Sequence, residues 1–243
     1  MILATLAEPM RKETLTDTGA SNVSWSEGVN FVRSRKKVYG AYLLGAPFIV
    51  ISLYALQAWV PTLLIRVHGM DIADAGRSYG SIALLCGSAG VLSGPILAKY
   101  FTRKGHTDAG LRVATSAAAA LLPAIVFAGF TADTTLALVA IGVSSFFVTV
   151  PMALFTTGLQ AVTPNEMRGV IAGIYVVIVN LFGLALGPTS VALVTDYVFA
   201  DAGAVGASMA LVCAVSLPVA MLMFYVGMGE GSSSASEGPT VGH

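Results

Sequence analysis

Few side chains in this sequence are equipped for chemistry away from water, and they stand out against very apolar surroundings. Tyr54, Gln57 and Trp59 interrupt an uncharged run over residues 39–65. Tyr175 and Asn180 fall in another, over residues 170–194, and Ser144, Ser145 and Thr149 in a third, over 135–162. An amide buried in hydrocarbon costs a few kcal/mol unless it is paired. Asn180 must therefore face another helix or a water-filled cavity. In the first case it is a hydrogen-bonding tie between helices; in the second it is a contact for a bound solute. The same two readings apply to Tyr54 and Gln57, while Trp59 also fits an interfacial anchor. Tyr175 and Asn180 are five residues apart, which on a helix turns them about 140° away from each other, so they need not line one surface.

What these runs lack is as informative. None contains a carboxylate or a histidine: His68, His106 and His243 all lie in connecting segments or the tail. A proton relay within the runs would need such groups. Paired intramembrane aspartates, an HExxH zinc motif, a Ser/His pair and a phosphate-binding Walker loop are all missing from the sequence, so neither an enzyme nor an ATP-driven step is expected within this chain. Cys86 and Cys213 sit inside apolar runs and read as small buried hydrophobes rather than a disulfide or metal site. No cofactor and no metal are expected.

The elements that carry these residues follow from composition. Of 243 residues, 56% are hydrophobic and 11% charged, and mean hydropathy is +0.80. An ordinary soluble domain carries roughly 25% charged residues, so the bilayer is the solvent that fits this chain. Six runs are long enough to cross it, at residues 39–65, 78–98, 113–130, 135–162, 170–194 and 204–228. None alternates as a β-span would. The expected fold is all-α: a polytopic bundle of six transmembrane helices over residues 39–228, joined by short polar loops. Eleven of the thirteen Lys and Arg residues fall on one side of these spans, with only Arg66 and Arg77 on the other. That asymmetry places both termini in the cytoplasm. Residues 1–38 read as the end of a preceding helix and a cytoplasmic linker. Within them, Ser24-Trp25-Ser26-Glu27 fits a capping box opening a short interfacial helix. Residues 229–243 read as a disordered tail. Zero net charge gives no basic field to attract nucleic acid.

Glycine and proline carry the mechanical signal. Gly90-x-x-x-Gly94, Gly169-x-x-x-Gly173 and Gly183-x-x-x-Gly187 permit close helix approach. Pro47, Pro61, Pro95, Pro123, Pro151, Pro188 and Pro218 each remove a helix hydrogen bond and favour curvature.

Several stretches resemble one family. QAWVPTLLIRVHGMDIADAG, residues 57–76, is similar to the seventh helix and following loop of major facilitator superfamily transporters, nearest to bacterial relatives of the spinster-like group. GPILAKYFTRKG, residues 94–105, resembles the cytoplasmic motif after the eighth helix, including Gly94, Arg103 and Lys104. The acidic position of that motif is Lys99 here, which weakens any latch built on Arg103 and Lys104 and leaves topology-setting charge as their role. TPNEMRGVIAGIYVVIVNLFGLALGP, residues 163–188, resembles the loop and eleventh helix, with Arg168 at its mark. The opening LAEPMRKE resembles the end of the sixth helix. The resemblance implies half of a twelve-helix secondary transporter that moves a small organic solute, an organic anion or an amphiphile, by alternating access in the inner membrane. Tyr54, Gln57, Asn180 and Tyr175 are its candidate substrate contacts. The implied partners are the solute, the lipid bilayer, and a missing amino-terminal six-helix half or a second six-helix chain. The opposing expectation is a non-transporting scaffold or an inactive truncated product.

Overall fold

The computed structural model describes residues 36–163 and 165–231. The expected interfacial helix around Trp25 and the tail beyond Gly231 lie outside the described residues. Six helices are long and apolar enough to cross a membrane: α1 (Val38–Arg66), α2 (Ile72–Arg103), α3 (Ala109–Phe130), α4 (Thr134–Val162), α5 (Arg168–Phe199) and α6 (Ala202–Met228). No strand occurs among the described residues. Each span coincides with one of the apolar runs, because a helix alone satisfies every backbone N–H and C=O within its own segment.

The limits differ from the sequence reading chiefly at α2. Residues 66–77 read as a polar loop, but the helix begins at Ile72. Its opening turns are polar and helical at once: Arg77 pairs with Asp74 at i,i+3, and Ser81 Oγ returns to the Arg77 carbonyl. Charge marks where a helix leaves hydrocarbon, not where it stops. The turns themselves have identifiable causes. Gly69 (φ 66°) and Gly105 (φ 86°) take left-handed backbone after α1 and α2, a conformation glycine adopts without a Cβ clash. Asp133 caps α4 through its carboxylate on Leu136 N–H at 2.9 Å, as an N-cap acid should. Ala200 ends α5 in the same left-handed region (φ 51°), without glycine's freedom.

α1 is the centre of the bundle and packs against α5, α6 and α4. α6 lies along α3, α3 along α4, and α2 rests on α3 and α4. Among the described residues, three crossings bring a glycine against the backbone of another helix. Gly129 of α3 and Gly206 of α6 meet backbone to backbone, so a Cβ on either would strike the other's carbonyl. Gly90 and Gly94 set α2 against the Phe146 and Val150 carbonyls of α4. Gly183 and Gly187 set α5 against α1, where a Cβ on Gly187 would lie 2.8 Å from the Ile51 carbonyl oxygen. The third motif is different: Gly169 and Gly173 face open space. So do Gly76 and Gly80 in the first turns of α2. This agrees with burial. The most apolar windows of α2 and α5 are 17% and 22% buried, whereas those of the other four helices are 39–56% buried. Two helices thus keep one flank unpacked within this chain.

Candidate functional site

The crossing of α1 and α5 builds the site. Without side chains at Gly183 and Gly187, Tyr54 packs closely against α5; a Cβ on Gly183 would come within 2.8 Å of its Cδ2. That placement carries the phenol one turn down the helix, where it donates to Asn180 Oδ1 at 2.8 Å. The Asn180 amide also donates to the Val176 carbonyl at 2.8 Å, which fixes which end of the amide faces Tyr54. One turn up, Trp59 Nε1 donates to the Pro188 carbonyl at 2.9 Å. Two side chains of α1 are therefore tied to α5, on either side of the glycine contact.

Asn180 and Gln57 are exposed within the described residues, and Tyr54 is half-buried. Gln57 sits one turn beyond Tyr54, about 60° around the helix, and its amide makes no hydrogen bond among the described residues. The result is an open polar patch of a phenol and two amides at mid-helix. It is uncharged. It can donate and accept hydrogen bonds to oxygen atoms, but it offers no counter-charge.

Tyr175 is not part of this patch. It is 5% exposed and sits in the bundle core, turned away from Asn180 as the five-residue spacing requires. Ser144, Ser145 and Thr149 are also internal. Ser144 returns to the Ala140 carbonyl at 2.8 Å, Ser145 is buried, and Thr149 donates across to the Gly87 carbonyl of α2 at 2.9 Å. Trp59 acts as an interhelical tie as well. Other ties were not legible as ties in the sequence, because serine, threonine and tyrosine look alike whether they face a neighbour or lipid. Ser52 and Ser216 join α1 to α6 at 3.0 Å. Thr195 and Ser208 join α5 to α6 at 2.8 Å. Tyr39 and Thr163 join the start of α1 to the end of α4 at 3.0 Å.

Of the residues of the cytoplasmic motif, Gly94, Lys104 and Arg168 interact within their own element or with a neighbouring one. Gly94 is the close-packing point on α4. Lys104 lies over the Tyr100 ring, 4.4 Å from its centroid, and Arg103 is exposed with no carboxylate partner among the described residues. Arg168 Nε donates to the Thr163 carbonyl at 3.0 Å and so closes the turn that opens α5.

Comparison with known proteins agrees with this architecture. The Major Facilitator Superfamily profile matches residues 1–188. An "MFS-type efflux pump" of Mycolicibacterium smegmatis is 27% identical over 184 residues, covering 75% of this chain and 42% of that protein. The "Probable galactarate/D-glucarate transporter GarP" of Escherichia coli is 26% identical over 196 residues, covering 80% of this chain and 42% of that protein. Among solved structures, a bacterial homolog of the human lysosomal transporter Spinster, inward-facing and unoccupied, superposes with a TM-score of 0.58. It is 17% identical, with 90% of this chain and 52% of that one covered, a likeness of fold. The chain thus spans less than half the length of the curated relatives it matches. With its six membrane-length helices and a profile match over most of its length, this integral membrane protein belongs to the major facilitator superfamily.

Proposed function

We propose that this chain forms one wall of the solute pathway of a secondary transporter. Its contact with the solute is the patch of Tyr54, Gln57 and Asn180. The observation that carries this reading is the hydrogen-bonded Tyr54–Asn180 pair, held open on the flanks of two tightly packed helices. A pair serving only as interhelical glue would be enclosed, as Ser52 and Ser216 are. Neutral donors and acceptors fit a small organic solute rich in hydroxyl or carboxylate oxygens. The charge of an organic anion would then be met by residues of the opposite wall. Tyr175 is left out of the contact set and positions the core of α5.

The opposite wall is a second six-helix unit, an amino-terminal half or a separate chain, seated on the unpacked flanks of α2 and α5. The open glycines support alternating access. Gly76 and Gly80 lie in the first turns of α2, Gly169 and Gly173 in the first turns of α5, and these two helices start on opposite membrane faces. A partner rocking on this unit would close on one glycine pair and then the other. The Lys and Arg asymmetry orients the chain in the inner membrane with both ends in the cytoplasm.

Solvent access tests the reading without knowledge of the solute. With Cys86 and Cys213 replaced by alanine, Gln57→Cys in native membranes reacts with a membrane-impermeant thiol reagent, and Leu92→Cys, exposed on α2, does not. An unreactive Gln57→Cys at normal abundance places the patch in lipid and removes the pathway. D-glucarate, the hydroxylated dicarboxylate in one relative's name, is the first probe for protection of that cysteine.

A further inference from the structure

One enclosed polar group takes no part in the patch. His68 stands in the turn between α1 and α2, where Gly69 reverses the chain at φ 66° and Met70 N–H returns to the Leu64 carbonyl at 3.1 Å. The imidazole lies against the start of α4, with Nδ1 3.3 Å from Thr134 Oγ1. Its other nitrogen, Nε2, is shut away from solvent and has no hydrogen-bond partner. Among the described residues no other fully enclosed side-chain nitrogen or oxygen is left in that condition.

The site accepts one charge state of the ring. A neutral imidazole fits with its proton on Nδ1, donating to Thr134, and a bare Nε2. A protonated one is a donor at both nitrogens, so it would enclose an N–H without an acceptor and a charge without a partner, the costly case. The charged groups of the elements that meet here are engaged elsewhere. Arg66 of α1 reaches to the Ala202 carbonyl at 3.5 Å. Asp74 and Arg77 of α2 pair with each other, and Asp133 at the start of α4 holds Leu136 N–H. Asp71 and Tyr79, before and within α2, make no hydrogen bond or ion pair with the ring. Histidine is the side chain that changes charge between about pH 5 and 8. The turn lies on the face that holds only Arg66 and Arg77, so in the orientation proposed above it meets the medium outside the cell.

We infer that His68 is an acid-sensitive latch. Neutral, it holds the α1–α2 turn on α4; protonated, it leaves Thr134 for water and frees the outer end of α2. The freed turns carry Gly76 and Gly80, the outer glycine pair on which the second unit closes. Acid outside therefore loosens the outer seat of that unit, a consequence that rests on the transport reading, whereas the latch itself does not.

Spin-label mobility tests the latch in lipid nanodiscs, where both faces meet the buffer and neither orientation nor solute enters. With Cys86 and Cys213 replaced by alanine, Ile72→Cys, an exposed site beside the turn, carries the label. Between about pH 8 and about pH 5 the ratio of mobile to immobile label is expected to rise about tenfold, the scale set by one enclosed N–H without an acceptor. His68→Asn places an amide where Nδ1 stands and does not titrate, so it keeps the high-pH spectrum throughout. A spectrum with native His68 that ignores pH overturns the latch. So does a rise that persists in His68→Asn, which would assign it to Asp71, Asp74 or Asp133. Should His68→Asn accumulate poorly, nitrogen-15 spectra of the histidines in the labelled chain decide. A His68 ring that charges in step with the label upholds the latch; one that stays neutral while the label loosens, or charges while it stays fixed, overturns it. The solute pathway stands or falls separately, on the reactivity of Gln57→Cys.

Discussion

Replacing Asn180 with leucine separates the two roles that an intramembrane amide can play, because the structure assigns them different magnitudes. Structurally, the change removes the Tyr54–Asn180 hydrogen bond. Side-chain hydrogen bonds between membrane helices contribute about 0.6 kcal/mol on average. The bond from the amide to the Val176 carbonyl lies within one helix and leaves an acceptor that keeps its helical partner. Leucine also returns up to about 0.5 kcal/mol of helix propensity. Asn180 is exposed, so no cavity forms, and the loss of stability stays below about 1 kcal/mol. For a chain of this length that is a Tm shift of roughly 2–4 °C. A solute that depended on the amide would instead be left with an unpaired polar group, which costs about 1–3 kcal/mol, or roughly 5- to 150-fold in affinity. The assay measures both: thermal unfolding of the purified chain in lipid nanodiscs, and saturable uptake of the organic-acid probe into vesicles from cells carrying either allele at equal abundance. The expected result is a small Tm change with a large rise in KM. A Tm fall beyond about 6 °C, with uptake lost only in proportion to abundance, would show that the pair is glue and refute the site.

Three further outcomes follow from the packing. Gly187→Val should lower the Tm of the isolated chain much more than Gly169→Val, because its Cβ meets the Ile51 backbone at 2.8 Å whereas Gly169 faces open space; overpacking of this kind costs about 1–3 kcal/mol, and equal melting curves would contradict the α1–α5 crossing. Gly169→Ala with Gly173→Ala should leave this chain as stable or slightly more so, since alanine is the better helix former by about 1 kcal/mol per site, yet should reduce solute flux if that flank receives the second unit; unchanged flux would free the flank of that role. Ala200→Gly should raise stability by about 1 kcal/mol in a thermal melt, because it relieves a left-handed residue at φ 51°, and no gain would mean the cap is held by contacts rather than strained.

The spans were legible because a single physical quantity, uncharged apolar length, decides them, and every expected run became a helix. Their ends were less so. The start of α2 looked polar because Asp74 and Arg77 neutralise each other on its surface, and a helix pays no penalty for continuing into water. The residues of the patch were legible as types: Tyr54, Gln57 and Asn180 are polar groups in apolar runs, which is rare enough to notice. Their partnership was not. Tyr54 and Asn180 are 126 residues apart, and helical phase alone cannot say which faces of two distant helices meet.

The glycines show what kind of information is missing. As sequence, Gly183-x-x-x-Gly187 and Gly169-x-x-x-Gly173 are the same motif on the same helix. In the structure, the first closes on α1 and sets the Tyr54 ring on α5, while the second meets nothing within the described residues. A small-residue motif records that some backbone can come near; only the packed bundle reveals whether one has. The same reasoning separates the hydroxyls. Ser52, Ser144 and Thr149 carried the same signal as Asn180, and each turned inward to a carbonyl or a second hydroxyl, because a one-bond donor is satisfied by the nearest turn of its own or an adjoining helix. An amide has more hydrogen-bonding groups than one helix turn can satisfy. Asn180 uses one N–H on Val176 and one oxygen lone pair on Tyr54, and the remaining N–H and lone pair have no partner among the described residues. On the proposed reading, that surplus, rather than polarity as such, is what would let the patch hold a solute instead of only fastening helices together.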